Sequence, residues 1–287
     1  MEISASYVGR VVAETDVTAT FRDSAAYAAA IGAECDAYLD DRTIGGAWAP
    51  PWFVATLEWP LVIAPSALRH LAVPPSEVFR SVLHAFQDTR FDRPIRVGDR
   101  LHAEATLASV RQTKSGVLVV VRIATTDAVS HDSFAQSWFG AVFRGATAIE
   151  SHTAFEAPKP ATLARGEGAT LGHLTISRGQ SHAYGECARL WNPIHTERLF
   201  ALTAGLPDIA VHGTLVWAKV GQLYADRFLD GDPRRLTRLY LNFRKPVYPG
   251  RQLLVRSAAC GESPTHDVLE IYDGDDIVVA GLVEAVR

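Results

Sequence analysis

The sequence predicts an α+β chain built from two copies of one domain, and three observations carry that prediction. A segment recurs: Phe91-Asp92-Arg93-Pro94-Ile95-Arg96-Val97-Gly98-Asp99-Arg100-Leu101 is echoed by Phe243-Arg244-Lys245-Pro246-Val247-Tyr248-Pro249-Gly250-Arg251-Gln252-Leu253. Phenylalanine, a basic residue, proline, a β-branched residue, glycine and leucine return in the same order at a constant offset of 152 residues in a chain of 287, as a duplicated unit requires. Each half also closes on the alternating pattern of antiparallel strands, and each opens on helical spacing instead.

In the first half, residues 24–31 and 75–84 carry helical signals. Leu101, Ala103, Ala105 and Leu107 then alternate with His102, Glu104 and Thr106, the period of a half-buried strand. Lys114-Ser115-Gly116 is a turn leading into the β-branched run 117–123, and 134–143 is a further strand. In the second half, Ala183/Tyr184, Cys187/Ala188 and Leu190/Trp191 recur at helical spacing until Pro193 interrupts. Thr196 is placed to cap a short helix that Gly205 ends. A longer helix is expected from 213 to about 228, with Trp217, Val220, Tyr224 and Phe228 on one stripe. Strands follow at 239–243, 253–259, 267–272 and 277–286. Between the halves, Pro158, Pro160, Gly166 and Gly168 with few bulky apolar residues read as a linker. The expected organisation is a first domain over 1–145, a linker over 146–170 and a second domain over 171–287.

Composition excludes several function classes. Apolar residues make up 48% and charged residues 21%, enough for a packed core with an ordinary surface. A net charge of −4 argues against a nucleic-acid binder. No apolar run reaches the roughly 18–20 residues that span a bilayer, so no membrane partner is expected. The first twenty residues alternate with acids, unlike a secretory leader. Cys35, Cys187 and Cys260 are widely spaced and odd in number, which reads as reduced thiols in a cytoplasmic protein, with no metal cage. No G-x-S-x-G elbow and no G-x-G-x-x-G after a strand is present, which argues against a serine hydrolase and a dinucleotide site.

The chemistry concentrates in Tyr184-Gly185-Glu186-Cys187-Ala188-Arg189-Leu190-Trp191-Asn192-Pro193-Ile194-His195, followed by Val211-His212-Gly213-Thr214. Asn192-Pro193 forces a rigid break that fixes the direction of His195, whose imidazole titrates near neutrality and relays protons. Gly213 opens the long helix, where a backbone N–H points outward at the positive end of the dipole and suits a polarised carbonyl oxygen.

Trp191-Asn192-Pro193-Ile194-His195 with Val211-His212-Gly213 resembles the signature of the MaoC-like (R)-specific enoyl-CoA hydratases and dehydratases, in which a D-x-N-P-x-H motif precedes a V-H-G that opens the central helix. The likeness extends to residues 243–253. The first half resembles that family's N-terminal dehydratase-like domain at Ala30-Ile31-Gly32, Tyr38-Leu39-Asp40, Ala49-Pro50-Pro51 and Arg93-Pro94 to Asp99. The resemblance implies a double hotdog: two fused domains whose antiparallel sheets wrap two long central helices. It implies hydration or dehydration of a 2-enoyl or (R)-3-hydroxyacyl thioester in fatty acid metabolism. A carboxylate and a histidine hold the water, and the glycine amide stabilises the enolate oxygen. No cofactor is expected, CoA or an acyl-carrier arm arriving as part of the substrate. One competent site per chain and a homodimer of chains are expected.

One departure bears on the mechanism. The family's aspartate lies five residues before its histidine, and that position here is Leu190. Three readings follow. Glu186, four residues earlier and one methylene longer than aspartate, takes over as acid/base with His195 and the Gly213 amide; or the reaction has diverged to another lyase or an isomerase; or the chain is a non-catalytic acyl-thioester-binding subunit. Asn192, His212, Tyr184 and Trp52 are the expected substrate contacts, with the pocket wall from the first half placed at residues 48–53. Arg244 and Lys245 are candidates for the CoA phosphates.

Overall fold

The computed structural model describes residues 1–43, 45–158, 168–259 and 266–286. The predicted α+β class holds. Among the described residues, ten long strands form one continuous antiparallel sheet: β1 (Val11–Thr18), β2 (Val82–Phe91), β3 (Arg100–Thr113), β4 (Gly116–Asp127), β5 (Ser133–Arg144), β6 (Ala169–Thr175), β7 (Leu236–Phe243), β8 (Gln252–Ala259), β9 (His266–Asp273) and β10 (Asp276–Ala285). Their order is β1-β3-β4-β5-β2-β7-β10-β9-β8-β6.

The halves meet where β2 pairs with β7, and Asp88 stands opposite Tyr240, the residue 152 positions later. A strand therefore pairs with its own repeat, so the pseudo-twofold of the duplication runs through the centre of the sheet. Arg238 clamps this seam. Its Nε and Nη2 donate to the two Asp88 oxygens at 2.8 and 2.7 Å, and its Nη1 donates to Glu284 at 2.9 Å. Arg238 and Asp88 are both buried, where such a fork is shielded from solvent.

Helix Gly213–Phe228 lies against the sheet as the sequence predicts. Its Trp217 indole donates to the Leu239 carbonyl at 3.2 Å, and Trp52 closes on its Gly221, where a Cβ would stand 2.3 Å from the ring. Trp52 is fully buried against Trp217 and Phe91. The expected second long helix is shorter: a 3-10 turn at Pro51–Val54 runs into Ala55–Val62, which already contains Pro60. Proline removes a backbone donor and crowds the preceding turn, which limits that helix. The helical signal at 75–84 resolves into a helix at Pro75–Ser81, and from Val82 the chain is strand β2, so His84 is a strand residue. Thr196 does not cap the short helix Arg198–Thr203, whose N-cap is Glu197, although Gly205 follows it at φ +81°. In the stretch read as a linker, Thr147–Ala148 pairs with Glu2–Ile3 and His152–Thr153 pairs with β3. Pro160, Gly166 and Cys260 lie outside the described residues.

Candidate active site

Helix Arg178–Cys187 leads into the site, its N-cap Ser177 accepting from the Gln180 amide at 3.0 Å. It ends with Arg189 at φ +56°, while the Leu190 amide reaches back to the Gly185 carbonyl at 2.9 Å. This left-handed closure tucks the apolar residue after it against the helix, and Leu190 is buried accordingly. Asn192 then caps one 3-10 turn, Pro193–His195, its Oδ1 accepting from the Ile194 amide at 3.2 Å. A bond from the Ala210 amide to the Ile194 carbonyl at 3.1 Å ties that turn to the segment before the long helix.

The same segment orients the catalytic candidate. His195 Nδ1 donates to the Ala210 carbonyl at 2.8 Å, which leaves Nε2 as the nitrogen with the free lone pair. Burial pushes His195 down to about 4, against the smaller opposing effect of that bond, so the ring is neutral at pH 7. His212 stacks on it with ring centres 3.9 Å apart, and its Nε2 donates to the Leu190 carbonyl at 3.0 Å. Burial, then the neighbouring His195, hold His212 well below the usual histidine range. Gly213 stands at the first position of a sixteen-residue helix, where backbone N–H groups lack intrahelical partners. Its missing side chain has a local reason: a Cβ would lie 2.7 Å from His84 Nδ1 and 3.2 Å from the Phe243 ring.

His84 comes from the other half of the molecule. Strand β2 carries it across the seam, where it stacks on Phe139 with ring centres 4.2 Å apart and tilts against Phe243 at 4.8 Å. Burial pushes it down to about 3, outweighing the Phe86 backbone and the Gln87 side chain, which favour its charged form.

These groups line two neighbouring spaces. A small one of about 30 Å³ is walled by Leu190, Asn192, His195, His212, Gly213, Thr214, His84, Trp59 and Phe139. That is room for one water, which needs roughly 10–15 Å³. A larger cavity of about 320 Å³ shares His84, His195 and Gly213 with it; Leu83, Val142, Val211, Val216 and Phe243 make it apolar, and Arg144, Arg244 and Lys245 also line it. Arg244 and Lys245 are exposed, and Lys245 pairs with Asp276 at 2.8 Å.

The structure thus brings His195, Gly213, Asn192 and His212 together and separates the other expected residues from them. Glu186 is exposed on its helix and lines neither space. Tyr184 is buried one layer behind, its hydroxyl 3.3 Å from that of Tyr27 and its ring edge-on to His212. Trp52 packs between the helices, and the wall from the first half is supplied by β2 and β5 rather than by residues 48–53. His84 was missing from the sequence reading. Among the described residues, the one cluster with metal-ligand spacing, Glu14, His102 and Glu104, lies outside both spaces. No helix among them is long and apolar enough to cross a membrane.

Residues 152–271 match the MaoC like domain, and residues 6–133 match the FAS1-like dehydratase domain region. The mouse peroxisomal multifunctional enzyme type 2 is 26% identical over 204 residues, covering 70% of this chain and 27% of that protein. The enoyl-CoA hydratase ChsH3 of Mycobacterium tuberculosis is 29% identical over 96 residues, covering 31% of this chain and 34% of that protein. The chain therefore spans about a third or less of the length of these relatives. Among solved structures, a MaoC-like dehydratase from Phytophthora capsici superposes with a TM-score of 0.80 at 18% identity, covering 96% of this chain and 95% of that one.

Proposed function

Because the chain carries a MaoC-like dehydratase domain behind a FAS1-like dehydratase region, we propose that it hydrates 2-enoyl thioesters to (R)-3-hydroxyacyl thioesters and catalyses the reverse dehydration. The observation that carries this reading is the convergence of His195, whose Nε2 keeps its lone pair, and the helix start at Gly213 on a water-sized space that shares both residues with an apolar cavity. The acyl chain fills the larger cavity with its thioester carbonyl at Gly213. The small space seats the water beside His195 Nε2. As the water oxygen bonds to C3, the π pair moves toward the thioester oxygen, where the Gly213 N–H stabilises the developing charge. His195 takes the water proton, and a proton is returned to C2.

Water supplies both groups that add, the hydrogen and the hydroxyl, so the reaction asks for no cofactor; the CoA or carrier arm belongs to the substrate. Arg144, Arg244 and Lys245 give that arm a cationic rim. The reading places the chain in the cytoplasm as a homodimer acting in fatty acid metabolism. Leu190 in the water-sized space favours one rival, a subunit that binds acyl thioesters without turning them over. Following the enoyl-thioester absorbance with crotonyl-CoA and longer enoyl-CoAs separates the two. Loss of the band with wild type and not with His195→Asn supports hydration, and binding without turnover supports the rival.

A further inference from the structure

Adding water across a double bond requires a group that accepts the water proton and a second contact that aims the oxygen lone pair at C3. The small space has few polar groups left for the second task. Asn192 Oδ1 is held by the Ile194 amide, His195 Nδ1 by the Ala210 carbonyl and His212 Nε2 by the Leu190 carbonyl, while His212 Nδ1 is buried with no hydrogen-bond partner among the described residues and Thr214 also borders the space. Leu190, Trp59 and Phe139 present apolar surface. His212 borders the small space alone, whereas His84 borders both that space and the acyl cavity. His195, the one other histidine to do so, already has its role in the proposed reaction.

We infer that His84 is the second catalytic residue of the reaction proposed above, supplied to the site by the first half of the chain. The inference rests on that functional reading and extends it. Its geometry is fixed from three sides. Phe139 and Phe243 hold the ring faces, and Nδ1 lies against the start of the long helix at a spot that only glycine leaves open. The inner edge is buried beside β2, where Nε2 has no hydrogen-bond partner among the described residues. With the proton on that inner nitrogen, the ring presents the Nδ1 lone pair to the water. His84 accepts one O–H of the water while His195 Nε2 accepts the other. As the O–C3 bond forms, His195 takes its proton, and the resulting imidazolium returns that same proton to C2 when the enolate collapses. One water is consumed, its hydroxyl ends on C3 and its proton on C2, and both imidazoles finish neutral.

The test measures hydration of crotonyl-CoA and longer enoyl-CoAs by wild type, His84→Asn, His84→Gln, Leu190→Asp and the His84→Asn/Leu190→Asp double variant. Butyryl-CoA binding and thermal unfolding are measured alongside. The expected result is a fall in kcat of about 10²–10⁴-fold in both His84 variants, with butyryl-CoA affinity within about threefold of wild type. The fall caused by His84→Asn is expected to shrink to under about tenfold in the Leu190→Asp background, where the new carboxylate stands in the same small space, a rescue that loss of packing would not give because packing is lost equally in both backgrounds. Either His84 variant at wild-type kcat overturns the inference. So does loss of butyryl-CoA binding or of cooperative unfolding in both variants, or absence of rescue, since these mark the ring as structural. Absence of turnover by wild type removes the hydratase reading itself, and the role of His84 with it.

Discussion

Replacing Gly213 by alanine separates catalysis from stability, and the structure sets the size of each effect. The added methyl would lie 2.7 Å from His84 Nδ1 and 3.2 Å from two atoms of the Phe243 ring. His84 cannot retreat easily, because Phe139 stacks on its other face. Overpacking of this kind costs about 1–3 kcal/mol, and the better helix propensity of alanine returns up to about 1 kcal/mol. The net loss of stability is therefore about 0–3 kcal/mol, a shift of up to several degrees in Tm. The effect on turnover is larger, because the methyl forces apart the groups that hold the thioester oxygen and the water. Alanine keeps the backbone N–H, so the fall comes from displacing the thioester oxygen and His84; an oxyanion contact broken in this way lowers kcat by about 10²–10³-fold. Steady-state hydration of an enoyl-CoA, read beside calorimetric unfolding of the same preparations, gives both numbers. A folded Gly213→Ala protein with kcat within threefold of wild type would refute the placement of the reacting oxygen at this helix start.

Other consequences are independent of that one. Arg238→Met strands the buried Asp88 carboxylate and is expected to cost about 3–5 kcal/mol in urea unfolding, with Arg238→Met/Asp88→Leu recovering most of it. His195 is pushed down to about 4 and His84 to about 3; between those values and roughly 6.5, the ordinary histidine value, the unfolded chain binds more protons. Their contribution to stability is thus complete above about pH 6.5 and is lost as pH falls toward 4, which urea midpoints across pH 4–7 would show. Glu58 has the opposite sign: burial pushes it up to about 7, so its contribution is complete below roughly pH 4.5 and is lost as pH rises through 7. Glu58→Gln should raise the urea midpoint at pH 8 and leave it little changed at pH 5. Glu186→Gln should leave kcat within twofold of wild type, as an exposed residue outside both spaces requires.

The sequence carried the outline of the fold, and it pointed to His195, Asn192, His212 and Gly213, which the structure brings around one small space. The repeat around Pro94 and Pro246, the strand alternation after it and the helix beginning at Gly213 all reflect local periodicity, and each stands where that periodicity puts it. Glu186 is placed away from His195 for a local reason as well. Four-residue spacing aligns side chains only inside a continuous helix, and here the helix stops at Cys187, with left-handed Arg189 between Glu186 and Leu190. His84 was hidden because β2 does not alternate. It crosses the seam between the halves, so Gln87, Asp88 and Thr89 are all buried and polar residues sit where a half-exposed strand would show an apolar face. The proline-led helix just before it also extends a helical reading as far as His84. Trp52 was misplaced because an aromatic residue at a helix start fits a pocket wall and a helix contact equally well, and only the glycine at 221 opposite it decides between them.

The duplication also shows why one half keeps the chemistry. Shifted by 152 residues, Phe243, Arg244, Lys245, Pro246 and Val247 of the acyl cavity become Phe91, Asp92, Arg93, Pro94 and Ile95, and these line a second cavity of about 220 Å³. The same shift carries His84 onto Leu236, which lines that second cavity, so its wall has an aliphatic chain where the first has an imidazole. Its helical wall begins at Pro51, whereas the first begins at Gly213. Proline has no backbone N–H to offer an oxyanion. The second cavity therefore has neither the helix-start N–H nor the strand imidazole: β7 contributes Leu236 there, while β2 carries His84 to the first cavity. Fusion lets the halves diverge in this way: each strand of the central pair serves the cavity across the pseudo-twofold, so residues missing from one copy are free to be supplied by the other.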